Sequence, residues 1–307
     1  MNRILKKILI IGGTGFLGYH LARYCLKKKF KVISISKNYP RQIRFLKKVH
    51  YIRCDISNKR LLERKLNYNF DYVVNFGGYV DHSNKKETFK SHYLGAKILG
   101  KIFLKKKIKK FIQIGSSMEY GRINSPQKES YICKPESTYG ISKYLATQYF
   151  LNLYIKNNFP VTILRLYQVY GPYQDLNRLI PFVINSCKSN MNFPCSNGKQ
   201  FRDFLYVDDL MRAIIATLNK KQALGKIINI GSGRPIKIKK IIIKIKSYFK
   251  KGNPLFGKIK LRKEELLKIY PDLNNVKNIL NWNPRIDFNS GIKKTINFYQ
   301  RNNIEKF

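Results

Sequence analysis

The chain has 307 residues with 61 Lys and Arg against 17 Asp and Glu, a formal net charge of +44, and 44% hydrophobic residues. That length supports one large or two moderate domains with a real core, and no stretch reaches the roughly 18 uninterrupted apolar residues of a membrane-spanning helix. The charge invites a polyanion or anionic-membrane reading, yet the lysines run along the whole chain among abundant Ile and Asn, as AT-biased codons would place them.

Residues 1–11 carry lysines followed by Ile-Leu-Ile-Ile and so imitate a secretory signal. The apolar run is too short for one and flows directly into a glycine turn, which predicts a first strand at Lys7–Ile11. Further strands are predicted at Lys31–Ser36, 50–54, 72–76, 111–115 and Val161–Leu166, alternating with helices after the glycine turn, after Asp55-Ile-Ser57 with Ser57 as N-cap, around Lys85, and from Tyr139. This alternation is the signature of a parallel sheet with crossover helices. Beyond Gly171-Pro172 it weakens: 190–199 reads as loop, 206–218 as helix, 226–230 as strand and 236–249 as helix. The fold class is therefore α/β, a Rossmann-like doubly wound parallel sheet with a smaller C-terminal α+β lobe. The dinucleotide-binding domain is expected over 1–171 with parts of 200–232, and the substrate lobe over 172–199 and 233–307. Segment 234–251 combines lysines with apolar residues, as a basic amphipathic helix or as a helix packed on one face. The five cysteines (Cys25, Cys54, Cys133, Cys187, Cys195) are scattered, without C-x-x-C or Cys/His metal spacing, and fit free thiols in a reducing cytoplasm.

Two clusters carry chemistry. Gly12-Gly-Thr14-Gly15-Phe16-Leu17-Gly18 follows a strand and opens a helix, the context in which backbone and helix N-terminus cradle a pyrophosphate. No acidic residue ends the second strand to accept the ribose hydroxyls. Ser34, Ser36 and Lys37 stand there, with Arg41 and Arg44 following, a group suited to a 2′-phosphate, so NADP is expected ahead of NAD. Asp55 is placed to hold the adenine or to cap a helix. Ile56, Phe76, Gly77, Gly78 and His92 complete the expected cofactor contacts at neighbouring strand ends. The second cluster is Tyr139-Gly-Ile-Ser-Lys143 with Ser116 upstream. Four residues apart on a helix, Tyr139 and Lys143 share a face. A phenol with an ordinary pKa of about 10 needs a nearby cation to act near neutrality. Ser116, at a strand's carboxyl end, would hydrogen-bond the reacting oxygen.

On these residues the chain resembles the extended short-chain dehydrogenase/reductase family of nucleotide-sugar epimerases, dehydratases and reductases, nearly end to end. The family's Ser/Thr-x-x-x-Tyr-Gly matches Ser116 to Gly121, its Tyr-x-x-x-Lys matches Tyr139 and Lys143, and its Arg-x-x-x-Val-Tyr-Gly-Pro matches Arg165 to Pro172. Its Arg-Asp-Phe and Val-Asp-Asp match Arg202-Asp203-Phe204 and Val207-Asp208-Asp209, and its Leu-x-Trp-x-Pro matches Leu280 to Pro284. The resemblance implies Ser116, Tyr139 and Lys143 as catalytic residues, and Arg202 and Arg262 as ligands of a nucleotide-sugar diphosphate. It also implies a homodimer through the helices at 85–107 and 139–157. The dehydratases' Asp-Glu pair is replaced by Ser117 and Met118, and Met118 also stands where 3,5-epimerase chemistry needs cysteine, so neither activity is expected. Glu119, on strand alternation, would point away from Met118. Two family asparagines are His92 and Gln168 here. Tyr79 and His82, in the loop after the fourth strand, either orient substrate, together with Ser117, Met118 and Gln168, or only pack the loop.

The reading these features favour is an NADPH-dependent reductase of a nucleotide-linked 4-keto-6-deoxyhexose, serving surface-polysaccharide precursor synthesis. The alternative is an NAD-dependent NDP-hexose 4-epimerase. A remote alternative is a non-catalytic polyanion- or RNA-binding protein on the same fold, although nucleic acid is not the expected partner; weak association with anionic membranes stays open.

Overall fold

The computed structural model describes residues 5–261 and 265–302. The N-terminal part runs β1 (Lys7–Ile11), α1 (Phe16–Lys27), β2 (Lys31–Ser36), β3 (Val49–Arg53), α2 (Lys59–Lys65), β4 (Tyr72–Asn75), α3 (Lys85–Phe89), a π-helical turn at Lys90–Leu94, α4 (Gly95–Leu104), β5 (Lys110–Ser116), α5 (Thr138–Asn157) and β6 (Val161–Leu166). There follow β7 (Gln168–Tyr170), α6 (Leu179–Lys188), β8 (Asn192–Cys195), β9 (Phe201–Tyr206), α7 (Val207–Asn219), β10 (Ile227–Ile230), β11 (Pro235–Lys237), α8 (Ile238–Phe249), β12 (Asn253–Phe256), β13 (Lys268–Ile269), α9 (Asn274–Leu280) and α10 (Phe288–Arg301).

The main sheet has seven strands in the order β10-β6-β5-β4-β1-β2-β3. Every pairing in it is parallel. Strands buried on both faces read as continuous apolar runs rather than alternating ones, and β1 does so with Ile8 to Ile11 all buried, while β6 is buried throughout but carries Thr162 and Arg165 within it. One apolar core lies on each side of the sheet. Leu9, Ile11, Val73 and Phe111 face α4 and α5; Ile8, Ile10, Val74 and Ile112 face α1 and α7. Strand order reverses between β1 and β4, so the crevice at the carboxyl ends of β1, β4 and β5 is where an open α/β sheet receives a ligand. A smaller sheet of β11, β9, β13 and β7 and a two-stranded β8–β12 pair form the C-terminal layer.

Three predicted details are corrected. Ser57 is not the N-cap of α2: its N–H and hydroxyl both donate to Asp55 Oδ1, at 2.9 and 2.7 Å, and Asn58 caps the helix through the N–H of Leu61. The 190–199 segment is not all loop, because 192–195 finds a partner in β12 more than fifty residues later. The helix predicted from 236 begins at Ile238, since 235–237 pairs antiparallel with β9. On α8, Ile238, Ile241, Ile242 and Ile245 are buried, so one face of the basic segment packs on the core. All five cysteines are free, and no helix among the described residues is long and apolar enough to cross a membrane.

Candidate active site

The glycine turn is built by close approach. Gly12 has φ 75°, which side chains disfavour, and its N–H donates to Ile35 O at 2.7 Å. A Cβ on Gly18 would lie 2.3 Å from Gly12 O, and one on Gly13 2.3 Å from Ser34 Oγ, so only glycine lets α1 sit this near the turn. Gly15 differs: a Cβ there would meet only Gly12 O, at 3.4 Å, leaving its outer side open. Gly15 is the N-cap of α1 without a side-chain cap, and the helix's first turn, beginning Phe16-Leu17-Gly18, has no acidic residue. Such an end, positive and uncapped, fits a dinucleotide pyrophosphate. Thr14 is held by its N–H to Ser36 Oγ at 3.3 Å.

The basic group after β2 does not converge as its spacing suggested. Arg44 turns inward through a short 3-10 turn and is buried, donating to Tyr173 O at 3.0 Å and to Asp175 at 2.8 Å. Arg41 reaches Asp175 at 3.5 Å but stays exposed, and the exposed Lys37 lies 3.8 Å from Asp55 Oδ2. Lys37 and Arg41 are thus the cations of this group left near a ribose. Burial opposes the charge on Asp55, but the Ser57 bonds and the Lys37 ammonium outweigh it and hold the carboxyl below its usual range. Beside it, Ile56 packs over Gly77, whose N–H donates to Asn75 Oδ1 at 2.9 Å, and over Gly95 of α4; Phe76 is half-buried against the other core. Asn75, itself bonded to Gln113 at 2.8 Å, was not expected as a support of this floor.

At the carboxyl end of β5, Ser116 is buried, accepts from the N–H of Met118 at 3.2 Å, and lies close enough to Tyr139 to pull its phenol down. Tyr139 stands in the first turn of α5, which Ser137 caps through the N–H of Gly140 at 3.1 Å. Lys143, one turn on, is buried, donates to Ile114 O at 2.8 Å, and places its ammonium 5.9 Å from the Tyr139 ring centre. Burial pulls Lys143 down to about 8, while Glu119 works the other way. Burial also pushes the Tyr139 phenol above its ordinary value, and Glu119 adds to this, against opposing pulls from Ser116 and from Arg178. The lowering expected from Lys143 does not prevail here: burial leaves the Tyr139 phenol harder to ionise than an ordinary tyrosine. Arg178, which precedes α6, carried no motif signal and is brought to Tyr139 only by the fold.

The 117–119 segment is a 3-10 turn rather than a strand. Ser117 is half-exposed and Met118 exposed at its rim. Glu119 points away from them, fully buried, and accepts from Ser116 N–H at 2.8 Å, Thr147 Oγ1 at 2.8 Å and Arg165 Nε at 2.9 Å. A Cβ on Gly115 would lie 2.4 Å from this carboxylate.

On the opposite wall, His82 stacks on Tyr139, centroids 4.0 Å apart and planes 16° apart, while His92 meets it edge-on at 5.0 Å and 81°. His92 is buried in the π-helical turn with Nε2 donating to Tyr79 O at 3.0 Å, and burial pushes it down to about 2. A Cβ on Gly78 would strike its ring at 1.8 Å. Tyr79 is thus held by its backbone, its N–H donating to Ser91 Oγ at 2.8 Å. Gln168 is exposed on β7. Arg202 is buried and directed at Phe201 O, 2.8 Å, and at Glu265, not at open space. Arg262 lies outside the described residues. Asp203 and Asp209 brace the fold: Asp203 accepts from Ser232 N–H and Oγ at 2.7 and 2.9 Å, and Asp209 from the N–H groups of Arg285 and Ile286 at 2.9 Å each.

A family model described as NAD dependent epimerase/dehydratase family matches residues 8–231. A protein of Methanocaldococcus jannaschii described as "Putative UDP-glucose 4-epimerase" is 30% identical over 313 residues, covering 96% of this chain and 99% of that protein. The human dTDP-D-glucose 4,6-dehydratase is 27% identical, covering 98% of this chain and 93% of its own. Among solved structures, a Thermotoga maritima UDP-glucose 4-epimerase with UDP-glucose superposes with a TM-score of 0.91 over 96% of this chain and 99% of that one, at 24% identity.

Proposed function

The chain belongs to the NAD-dependent epimerase/dehydratase family, and from that membership we propose that it transfers hydride at C4 of a nucleotide-diphosphate hexose, as an NAD-dependent 4-epimerase. The observation that carries the reading is the convergence of Ser116, Tyr139 and Lys143 at the sheet's switch point, across from an uncapped α1 N-terminus. The chemistry a bound nicotinamide supplies is reversible hydride acceptance at the sugar carbon. Within the chain, Tyr139 gives and takes the proton at the sugar O4, Ser116 holds that oxygen by a hydrogen bond, and Lys143 sets the charge beneath the ring. NAD is favoured over NADP because Arg44 is bound to Tyr173 and Asp175. A relative that carries an epimerase name supports the epimerase reading over the reductase.

A 4-keto-6-deoxyhexose reductase using NADPH is the second reading. It draws on the missing acid after β2, the exposed Lys37 and Arg41, and a phenol harder to ionise than an ordinary tyrosine. Elimination of water is disfavoured in either case, since Ser117 and Met118 offer no acid–base pair and Glu119 is ion-paired inside the protein. The substrate lobe is proposed over 172–199 and 233–307, and a homodimer through α4 and α5, which expose Leu104, Ile141 and Ile155.

Incubation with UDP- and dTDP-hexoses and no added cofactor separates the two: interconversion of C4 epimers is expected, with NAD as the co-purifying dinucleotide by mass spectrometry. Turnover that requires added NADPH and a 4-keto sugar would replace the first reading by the second. The pH profile of kcat/KM is expected to fall on the alkaline side from about pH 8, because Lys143 is cationic below that value and loses its proton above it.

A further inference from the structure

Tyr139 occupies the second position of α5, so its side chain leans past the helix end, where no preceding turn supports it. The support comes from two imidazoles outside the Ser-Tyr-Lys set. His92 closes one edge of the phenol and is fixed by the Tyr79 carbonyl, which sets its tautomer, and by the slot that Gly78 leaves open. Its Nδ1 is buried without a partner among the described residues, so the ring acts here by shape. His82 covers the face of the phenol and lies 5.7 Å from His92. Its loop is shaped by its own side chains: Ser83 donates its N–H and hydroxyl to Asp81 at 3.1 and 2.7 Å, and Asn84 caps α3 through Glu87 N–H at 3.0 Å.

We propose that His82 is a positioning residue that clamps Tyr139 against His92 and so sets where the phenol hydroxyl meets Ser116 and the sugar oxygen. The inference rests on Tyr139 being the proton-transfer residue of the proposed function. The groups facing His82 are Arg178 before α6, Lys143 and Tyr139 on α5, His92 in the π-helical turn, the Tyr79 carbonyl, and Asp81 in its own loop. Two cations thus confront it against one exposed carboxylate already bonded to Ser83. Although the residue is exposed overall, desolvation of its ring against Tyr139, then Arg178 and Lys143, hold His82 below its ordinary value, so the neutral ring prevails at neutral pH. Acidification puts a third positive charge between Arg178 and Lys143 and loosens the stack.

The test uses the full chain. With the NDP-hexose that turns over, His82→Ala is expected to lower kcat about tenfold with KM changed less than about twofold, the signature of lost positioning. His82→Phe, which keeps a flat ring without a proton to gain, should restore most of the rate and abolish the acid limb that protonation of His82 is expected to give wild type. A second readout needs neither substrate nor cofactor. In ring-labelled protein, the Tyr139 resonances, identified by their loss in Tyr139→Phe, should move between about pH 8 and about pH 5 with the same midpoint as the His82 ring protons, and lose that movement in His82→Phe. Unchanged or raised kcat in His82→Ala, an acid limb persisting in His82→Phe, or Tyr139 resonances indifferent to His82 titration would each overturn the clamp. Near-wild-type turnover in Tyr139→Phe is a separate result, which removes the catalytic reading instead.

Discussion

Tyr139→Phe lowers turnover by about a thousandfold, the middle of the range for removing a positioned general acid–base group, while the dinucleotide binds as before. The substitution deletes one oxygen. The ring remains stacked on His82 and edge-on to His92, so the first turn of α5 keeps its shape and Lys143 keeps its bond to Ile114 O at 2.8 Å. What disappears is the hydroxyl that the proposed mechanism uses to pass the proton. Steady-state rates, paired with titration of NADH or NADPH followed by nucleotide fluorescence, separate the two effects. A variant that lost dinucleotide binding along with rate would show that the oxygen supports the cleft rather than the reaction.

The largest stability effect is expected at Glu119. Glu119→Ala should destabilise the protein by about 3–5 kcal/mol, as removal of one partner from a buried ion pair does. Glu119 and Arg165 are 0% and 1% exposed. Without the carboxylate, the guanidinium, which also lies over the Tyr120 ring at 4.6 Å, is a core cation that has lost its ion-pair partner, and the N–H of Ser116 and the hydroxyl of Thr147 lose their acceptor. Glu119→Gln keeps an acceptor for those donors and should fall between Ala and wild type. Urea unfolding read by circular dichroism measures the series. If Glu119→Ala unfolded at the wild-type midpoint, the pair would be contributing nothing to the fold. The same carboxylate anchors the N–H of Ser116, so milder variants that still fold should also misplace the serine.

The sheet was legible because short β-branched runs alternating with helical patterns admit few other readings, and the glycine turn because its position between strand and helix is part of the signal. The Ser116, Tyr139 and Lys143 set was legible as a pattern. Its electrostatics were not. A four-residue spacing puts Lys143 on the Tyr139 side of α5 but cannot show that Lys143 is buried and that the half-buried Tyr139 has its hydroxyl taken out of water, and this desolvation moves each toward its neutral form. Glu119 was misread in a similar way. Strand alternation gave the right direction for the wrong reason, since 117–119 is a turn and the partners Thr147 and Arg165 are 28 and 46 residues distant in sequence. The basic residues after β2 show the limit of clustering as evidence. Lys37, Arg41 and Arg44 are close along the chain, yet one turn of 3-10 helix sends the third inward while the others face outward.

Anyone redesigning the chain's nucleotide preference inherits a constraint from Arg44. Its guanidinium joins the turn after β2 to Tyr173 and Asp175, ahead of α6 and of Arg178 beside the phenol. Re-aiming it at a ribose phosphate would unfasten the far wall of the crevice, trading selectivity at one end for disorder at the other. The workable handles are Lys37 and Arg41, whose heads already lie in solvent and can be exchanged without disturbing the interior.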